Sequence, residues 1–263
     1  MGHMLIFGLG YAAGHLAERL TARGWNVTGT TQDGRGGSIA FGDSAAVHAA
    51  LRSATHILSS VPPAAGADAV LATYGDAIAL APAAWVGYLS STGVYGDAGG
   101  AWVDESAPIK GRRDDRNAAD AAWQALRSDM RVFRLPGIYG PGRSILERIR
   151  EGRAHRIDLP EQIFSRVHVE DIAGGVIASF RGPPGVYNIA DDEPCHQNRL
   201  AEWGCAMLGA PLPQLQTLNE AGLSPAARAF YAENRRVANG KAKRLLGWTP
   251  RYPSFREGLA TCS

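Results

Sequence analysis

The sequence predicts an α/β fold built on a doubly wound parallel sheet. Short apolar runs typical of strands alternate with stretches of helical periodicity through the first half of the chain, in the order 4–7, 14–23, 25–30, 45–52 and 56–61. This alternation is the pattern of βαβ units, in which crossover helices join parallel strands. A glycine-rich turn directly after the first run is the second observation that points to this fold.

The glycine-rich turn follows a strand and opens a helix, which is where parallel α/β sheets bind dinucleotides. It matches the pattern G-x-G-x-x-A over residues 8–13. Gly8 would allow the tight turn, Gly10 would let a pyrophosphate approach the backbone, and Ala13 or Gly14 would let the helix pack closely on the strand. We therefore predict a Rossmann-type cofactor site that includes these residues and Tyr11, although such a turn can also be purely structural.

The end of the second strand bears on which dinucleotide is bound. An acidic residue there would hold the ribose 2′-hydroxyl of NAD, but the strand ends in Thr30 and Thr31. Asp33 comes later, before a glycine, and is more simply a turn residue. Small hydroxyl side chains with Arg35 nearby could admit a 2′-phosphate. We therefore expect NADP as the cofactor, with NAD as the alternative.

Two further segments are predicted to line the cofactor. Asp43 follows a predicted third strand, where it could reach the adenine edge or equally cap the next helix. Ser60, Val61 and Pro62 follow the fourth strand and would border the cofactor from that side.

The remaining chain continues the α/β pattern and then changes character. Strands are predicted at 85–90, 131–135 and 185–189, and helices at about 67–81, 114–128, 144–152, 170–180 and 197–208. From about Pro211 onward, loops and short helices rich in proline and polar residues prevail. We predict a Rossmann domain from 1–142 and 166–192, and a small C-terminal substrate-side cap of helices and loops from 143–165 and 193–263.

The bulk composition argues against several classes of protein. The formal net charge is +2, from 27 basic and 25 acidic residues scattered along the chain, so neither a nucleic-acid nor a membrane surface is predicted. Cys195, Cys205 and Cys262 lack C-x-x-C spacing, and no motif requires a metal. The first strand begins too early for a signal peptide, and no uncharged run reaches membrane-spanning length. We expect a cytoplasmic protein.

Five stretches, in order along the chain, resemble the extended short-chain dehydrogenases, the NAD(P)-dependent epimerase/dehydratase group. They are LSSTGVYGD at 89–97, RLPGIYGPG at 134–142, VHVEDIA at 167–173, VYNIA at 186–190 and LGWTP at 246–250. The resemblance covers nearly the whole chain. It implies a Rossmann fold, a nicotinamide dinucleotide, and a small-molecule substrate held under the cap.

The resemblance breaks at the family's proton-transfer pair. None of the eight tyrosines has a lysine four residues later, so the chain resembles atypical members of the group. The matching helix segment places Arg112 where the family has tyrosine and Arg116 where it has lysine. A guanidinium stays protonated at any working pH, so it can bind an anion or polarise an oxygen but cannot move a proton. Both arginines could equally be solvated charges on an exposed helix.

The resemblance supplies substitutes for the missing pair. Ser91 takes the place of the family's catalytic Ser/Thr, which bonds to the reacting substrate oxygen, although a strand-end serine can also cap a turn. Ser90 before it is expected beside the cofactor. Tyr95 and Tyr139 are candidates for proton transfer, while in the family each more often shapes the pocket. The remaining polar residues are less favoured as catalytic groups.

His168 has a suitable intrinsic pKa, but its strand-like surroundings, with Asp171 expected to cap the following helix, favour a structural histidine. Ser165 and Arg166 could contact a carboxylate or phosphate of a substrate. The helices at 67–81 and 114–128 form the dimer contact in the family, so a homodimer is one expectation. Trp123 could pack there or in the core.

Two functions remain open on the sequence. The first is an NADP-dependent oxidoreductase or epimerase that acts on a small carbonyl or hydroxyl compound without the usual Tyr-x-x-x-Lys pair. The alternative is a catalytically silent NADP(H)-binding redox sensor or partner-binding module. The cap favours the first, because a sensor has less need of one. Its short length predicts a ligand smaller than a nucleotide sugar.

Overall fold

The computed structural model describes residues 2–262, and at its centre lies a sheet of seven parallel strands. The strands of the chain are β1 (His3–Phe7), β2 (Asn26–Thr31), β3 (Ile39–Ala40), β4 (His56–Ser59), β5 (Trp85–Ser91), β6 (Trp102–Val103), β7 (Met130–Leu135), β8 (Gly137–Tyr139), β9 (Arg156–Ile157), β10 (Arg166–His168), β11 (Gly185–Asn188), β12 (Leu215–Gln216) and β13 (Arg236–Val237).

The helices are α1 (Tyr11–Thr21), α2 (Ser44–Ser53), α3 (Ala69–Ala79), α4 (Asp114–Leu126), α5 (Ile145–Arg150), α6 (Val169–Ala178), α7 (Gln197–Leu208), α8 (Pro225–Phe230), α9 (Gly240–Leu246) and α10 (Phe255–Leu259). Arg35–Gly37 and Thr92–Tyr95 form 3-10 turns. None of the helices formed by residues 2–262 has the length and apolar character needed to cross a membrane.

The strand order of the sheet is β11-β7-β5-β4-β1-β2-β3. From β1 the chain moves outward through β2 and β3, and then crosses back to β4 and continues to the other edge. The direction therefore reverses between β1 and β4, which is the switch point where parallel α/β sheets bind ligands beyond the carboxyl ends of their strands. The predicted α/β fold with a doubly wound parallel sheet is confirmed.

Alternation along β1 shows how the sheet is buried on both faces. Met4 and Ile6 point into a core formed with α1 and α6, while Leu5 and Phe7 point into a second core formed with α2, α3 and α4. All four side chains are fully buried. Successive residues of a strand face opposite sides, so a strand covered by helices on both faces must be apolar throughout.

Three short parallel pairs lie outside the sheet and connect the later segments. They are β8 with β10, β9 with β12, and β6 with β13. The pairing of β13 with β6 brings residues 236–237 of the predicted cap against residues 102–103, which follow β5 in the chain. The division into a Rossmann domain and a cap stays a prediction.

A buried polar network joins the carboxyl half of the sheet to α4. Asp120 and Arg134 are 1% and 3% exposed. The guanidinium of Arg134 donates from Nε and Nη2 to the two oxygens of Asp120, at 3.1 and 2.7 Å. Asp120 also accepts from Ser90 Oγ at 2.6 Å and from Gln124 Nε2 at 2.6 Å. Each oxygen of this buried carboxylate therefore has two partners, which is what burial of a charge requires.

The prediction that Asp171 caps a helix was wrong. α6 begins at Val169, and the side chain of His168 caps it by accepting the Glu170 N–H at 3.3 Å. Asp171 instead accepts the backbone N–H groups of Arg251 and Tyr252, at 2.6 and 3.0 Å. It thereby fixes the C-terminal segment to α6 across eighty residues of chain. Sequence spacing alone favoured the local partner over this distant one.

Trp123 lies in the core of the single chain. Its side chain is fully buried, stacks on Tyr88 with ring centroids 5.1 Å apart, and donates from Nε1 to Asp68 Oδ2 at 2.8 Å. Of the two sequence interpretations, the core position is the one observed. The homodimer through the helices now identified as α3 and α4 stays a prediction.

We expect Asp120→Asn to lower the free energy of unfolding by about 3–5 kcal/mol, because it leaves the Arg134 guanidinium buried without its counter-charge. Urea denaturation at neutral pH measures the loss. Glu151→Gln is the matched control, since it removes the carboxylate partner of Arg153 on the surface, and should cost less than about 1 kcal/mol. Equal losses in the two variants would contradict the role assigned to the network.

Candidate functional site

The glycine turn between β1 and α1 is open toward solvent. Gly8 has a φ of +80°, and a Cβ at this position would lie 2.6 Å from Val61 Cγ2, so only glycine fits. A Cβ at Gly10 would meet no atom within 4 Å. No side chain caps α1 and its first turn has no acidic residue. The helix therefore presents unbonded N–H groups and a positive dipole end to this open space.

The neighbouring residues brace this turn. Thr30 is buried, accepts the Gly8 N–H on Oγ1 at 3.2 Å, and accepts the Leu9 N–H on its carbonyl at 2.9 Å. Ala13 is fully buried in the core beneath the helix, whereas a Cβ at Gly14 would meet no atom within 4 Å. Close packing of α1 on the sheet thus depends on Ala13.

The loop after β2 forms a compact turn. The Thr31 hydroxyl accepts the Gly34 N–H at 3.0 Å, lies 2.7 Å from Ser38 Oγ and contacts Asp33 Oδ1 at 3.3 Å. The backbone N–H of Arg35 holds the pKa of Asp33 below its ordinary value. Arg35 is exposed, and its guanidinium donates no hydrogen bond to any described residue. An exposed cation therefore stands at the end of β2.

The segments after β3 and β4 have definite roles in the fold. Asp43 accepts the Ala46 N–H at 3.0 Å and caps α2, which is one of its two predicted positions. Ser60 donates its N–H to the Phe7 carbonyl at 2.9 Å, and Val61 lies against Gly8. The exposed Pro62 follows directly. Ser60 and Val61 thus border the glycine turn, and the prediction that residues 60–62 line a cofactor stays a prediction.

Ser91 ends β5, and its hydroxyl and the side chain of Arg116 both lie close to Gly93. The Ser91 hydroxyl is half-buried and accepts the Gly93 N–H at 3.0 Å. A Cβ at Gly93 would lie 3.2 Å from Ser91 Oγ and 3.7 Å from Arg116 Cδ. Among residues 2–262 the guanidinium of Arg116 has no ion-pair or hydrogen-bond acceptor. Burial, and then the charge of Arg113, lower the pKa of Arg116, but arginine remains a cation at neutral pH.

The side chain of Arg112 bonds to the segment of residues 229–233. Its Nε donates to Glu233 Oε1 at 2.8 Å, and its Nη2 donates to the Ala229 carbonyl at 2.8 Å. Glu233 also pairs with Arg235 at 2.6 Å. Arg112 therefore joins the start of α4 to residues 229–233, whereas the Arg116 guanidinium has no such partner in the described part of the chain.

Both candidate tyrosines are buried with their hydroxyl groups bonded to protein. Tyr95 donates to Asn188 Oδ1 at 2.7 Å and accepts from Arg134 Nη1 at 3.1 Å. Tyr139 donates to the Ser254 carbonyl at 3.3 Å. Burial raises the pKa of Tyr95 and of Tyr139, and both keep their protons at neutral pH. Ser90, which bonds to Asp120, belongs to the same buried network as Tyr95.

The remaining polar candidates are also engaged in the fold. His168 Nε2 lies 3.0 Å from Thr261 Oγ1, and burial lowers the pKa of His168 to about 4. Ser165 Oγ accepts the Val237 N–H at 2.9 Å, and Arg166 donates to the Phe164 and Cys195 carbonyl groups at 3.0 and 3.2 Å. Their hydrogen-bonding groups thus face protein partners. Within residues 2–262 no three His, Cys, Asp or Glu side chains cluster in a way that could hold a metal ion.

Sequence reasoning missed the neighbours of Tyr11. The hydroxyl of Tyr11 donates to the Pro141 carbonyl at 3.0 Å, and burial raises the pKa of Tyr11 to about 12. The guanidinium carbon of Arg143 lies 5.5 Å from the centre of the Tyr11 ring. In the sequence, the available signal was Arg143, the basic residue directly after the Gly-Pro-Gly run at 140–142. The contact between this turn and Tyr11 joins residues more than a hundred positions apart, so no local pattern predicts it.

Asp191 was also missed. The residue is 3% exposed, and among the described residues neither carboxylate oxygen has a side-chain hydrogen-bond partner. The backbone N–H of Glu193 acts to lower the pKa of Asp191, but less strongly than burial raises it. Burial raises the pKa of Asp191 from 3.8 to about 8, although the nearby Arg166 opposes the shift. In the sequence this residue stands in an acidic run at 191–193, which is typical of a solvated turn and gives no sign of burial.

Comparison with known proteins adds four findings. No family model matches the chain. A solved structure of a functionally unknown conserved protein from Silicibacter pomeroyi is 41% identical, with a TM-score of 0.90 over 99% of this chain and 97% of that chain. The human epimerase family protein SDR39U1, solved with NADPH, is 20% identical with a TM-score of 0.80 over 98% and 97% of the two chains. That likeness is one of fold.

A Streptomyces protein described as a 3-diazoavenalumate denitrifying reductase is 30% identical over 181 residues. The alignment covers 60% of this chain, and the chain spans only 58% of the length of that relative.

We expect Asp191 to destabilise the fold increasingly as pH rises from about 5 to 8, because the folded chain retains a proton on this carboxyl group that the unfolded chain releases. The slope from this group is on the order of 1 kcal/mol per pH unit, and the lowered pKa of His168 acts in the opposite sense at the acidic end of this range. Urea denaturation at several pH values should therefore show a stability difference between Asp191→Asn and the wild type that grows in favour of the variant up to pH 8. Asp76→Asn, an exposed change on α3, should leave the profile unaltered. A wild-type profile that matches the Asp191→Asn profile would contradict the assignment.

Proposed function

We propose that this chain is a member of the NAD(P)-dependent epimerase/dehydratase-like short-chain dehydrogenase/reductases and an oxidoreductase or epimerase acting on a small carbonyl or hydroxyl compound, a proposal that its likeness in fold to such proteins supports. The proposed reaction would proceed without a Tyr-x-x-x-Lys pair, which this sequence does not contain. The observation that carries this proposal is that the Ser91 hydroxyl and the half-buried side chain of Arg116, whose guanidinium has no acceptor among the described residues, both lie beside Gly93, at the same carboxyl end of the sheet as an open glycine turn.

The residues of the glycine turn fit a nicotinamide dinucleotide. Gly10 faces open space, and the first N–H groups of α1 have no side-chain cap. Gly8, Gly10 and Tyr11 would hold the diphosphate at the helix N-terminus. Residues 60–62 would border the same part of the cofactor. The bound dinucleotide would donate or accept a hydride.

We propose NADP as the preferred cofactor. Thr31 offers no carboxylate to repel a 2′-phosphate, and the exposed Arg35 can donate to one. The Asp33 side chain is drawn into its own turn by Thr31 and by the Arg35 N–H. A solved protein of the same fold carries NADPH.

Ser91 and Arg116 would act on the reacting oxygen of the substrate. The Ser91 oxygen already accepts the Gly93 N–H, so its own hydrogen is free to be donated to a substrate oxygen. Arg116 would stabilise negative charge on that oxygen, which a fixed cation does without transferring a proton. The proton itself would come from solvent, because the hydroxyl groups of Tyr95 and Tyr139 are occupied.

Tyr95 and Tyr139 then shape the site. Tyr95 ends the 3-10 turn that starts after Ser91 and is fixed from β7 and β11 by Arg134 and Asn188. Tyr139 ends β8 and supports the C-terminal segment at Ser254. Of the two roles open on the sequence, we favour this positioning role over proton transfer.

The first test is equilibrium titration of the purified protein with NADPH and NADH. We expect NADPH to bind more tightly than NADH. Gly10→Glu should weaken both at least about 100-fold, because it places a bulky anion where the diphosphate would lie. Thr21→Glu is the matched control, since it adds the same anion at an exposed position at the far end of α1, and should bind normally. No binding of either nucleotide to the wild-type protein would refute the proposal.

The second test measures NADPH turnover with a panel of small carbonyl compounds. We expect Arg116→Gln and Ser91→Ala each to lower kcat by about 100-fold or more, as loss of an oxyanion donor does, while NADPH affinity changes little. Arg52→Gln, an exposed change on α2, should retain full activity. Unchanged kcat in both site variants would contradict the assigned roles. NADPH binding without turnover of any compound would instead favour the silent sensor.

A further inference from the structure

Arg143 is an unpaired cation held over the first residue of α1. Its guanidinium carbon lies 5.5 Å from the centre of the Tyr11 ring, within the range of a cation-π contact. The side chain is exposed, and among residues 2–262 its guanidinium forms no ion pair and donates no hydrogen bond. The position adjoins the helix end where the N–H groups have no cap.

The chain fixes the backbone of Arg143 at this place. Gly140 and Arg143 exchange backbone hydrogen bonds at 3.3 and 3.0 Å, which closes a tight turn. Tyr11 donates its hydroxyl to Pro141 within that turn. A Cβ at Gly140 would lie 2.6 Å from the Tyr11 hydroxyl and 2.6 Å from Val169 Cγ1, so glycine is needed for the close approach. These contacts fix the backbone of Arg143 but not its side chain.

The acidic residues near Tyr11 do not neutralise this charge. Glu147 belongs to the capping box of α5, where it accepts the Ser144 N–H at 2.6 Å. Glu170 pairs with His15 at 2.7 Å and with Arg19 at 4.0 Å. Glu147 also pairs with Arg150 at 3.9 Å. Both carboxylates thus have partners of their own, and neither pairs with Arg143.

We propose that Arg143 binds the diphosphate of the dinucleotide, and this inference rests on the proposed function. A diphosphate carries two negative charges, and α1 alone offers only backbone N–H groups. The planar fork of arginine can bond to two phosphate oxygens at once. Tyr11 serves as the platform that orients the guanidinium, since its own hydroxyl is already donated to Pro141. Arg143 and Arg35 then divide the cofactor phosphates between them.

Calorimetric titration of four variants with four nucleotides tests this division. NADPH, NADH and ADP contain a diphosphate, whereas adenosine 2′-monophosphate does not. We expect Arg143→Gln to bind NADPH, NADH and ADP more weakly by a similar factor, about 10-fold or more. Its affinity for adenosine 2′-monophosphate should stay within about twofold of the wild-type value. Arg143→Lys, which keeps the charge and loses the fork, should lie between. Arg35→Gln should weaken only NADPH and adenosine 2′-monophosphate. Arg23→Gln, an exposed change beyond the far end of α1, should change none.

The outcomes separate this inference from the proposed function. If Arg143→Gln binds all four nucleotides as Arg23→Gln does, Arg143 has no part in binding, although the proposed function stands. If Arg143→Gln binds adenosine 2′-monophosphate more weakly than the wild type does, Arg143 contacts the 2′-phosphate, and the inference is overturned. If the wild-type protein binds none of the four, both proposals fail. Unchanged melting temperatures of the free variants would show that the losses are not caused by unfolding.

Discussion

The buried ion pair of Asp120 with Arg134 is the constraint on which the site depends. Arg134 lies on β7, one strand from the sheet edge, and Asp120 lies on the inner face of α4. Through Ser90 and Tyr95 the same pair reaches the end of β5 and the turn that follows. A buried pair of this kind contributes little net stability over apolar packing, but leaving either member alone is costly. It therefore fixes the register of α4 against β5.

That register determines which residue of α4 approaches Ser91. Arg116 lies one helical turn before Asp120, so the two side chains share one side of the helix. Asp120 is bonded to β7, and Arg116 is consequently brought next to Gly93 and Ser91. A free guanidinium beside a strand-end hydroxyl follows from the network rather than from local sequence. The proposed site at Ser91 and Arg116 and the buried pair are thus parts of one arrangement.

The sequence predicted most of the fold because the signals for it are local. Short apolar runs alternating with helical patterns identified every strand of the central sheet except the short β3, which the argument for Asp43 implied. The glycine turn was equally local. Asp171, Asp191 and Arg143 were assigned wrongly or missed, because the partner or the burial of each depends on segments distant in the chain. The pairing of Arg116 with Ser91 needed the register of α4, which no short pattern contains.

The two arginines at the positions that resemble the family's pair indicate how the proposed chemistry would differ from proton transfer. Arg112 is bonded to Glu233 and to the Ala229 carbonyl, so it joins the start of α4 to residues 229–233. Arg116 keeps its charge at every working pH. The catalytic rate of a tyrosine-lysine pair would depend on pH, because the tyrosine must titrate to transfer a proton. A fixed cation instead stabilises a developing oxyanion equally across the physiological range. The active site would therefore suit substrates whose oxygen can carry negative charge until solvent protonates it.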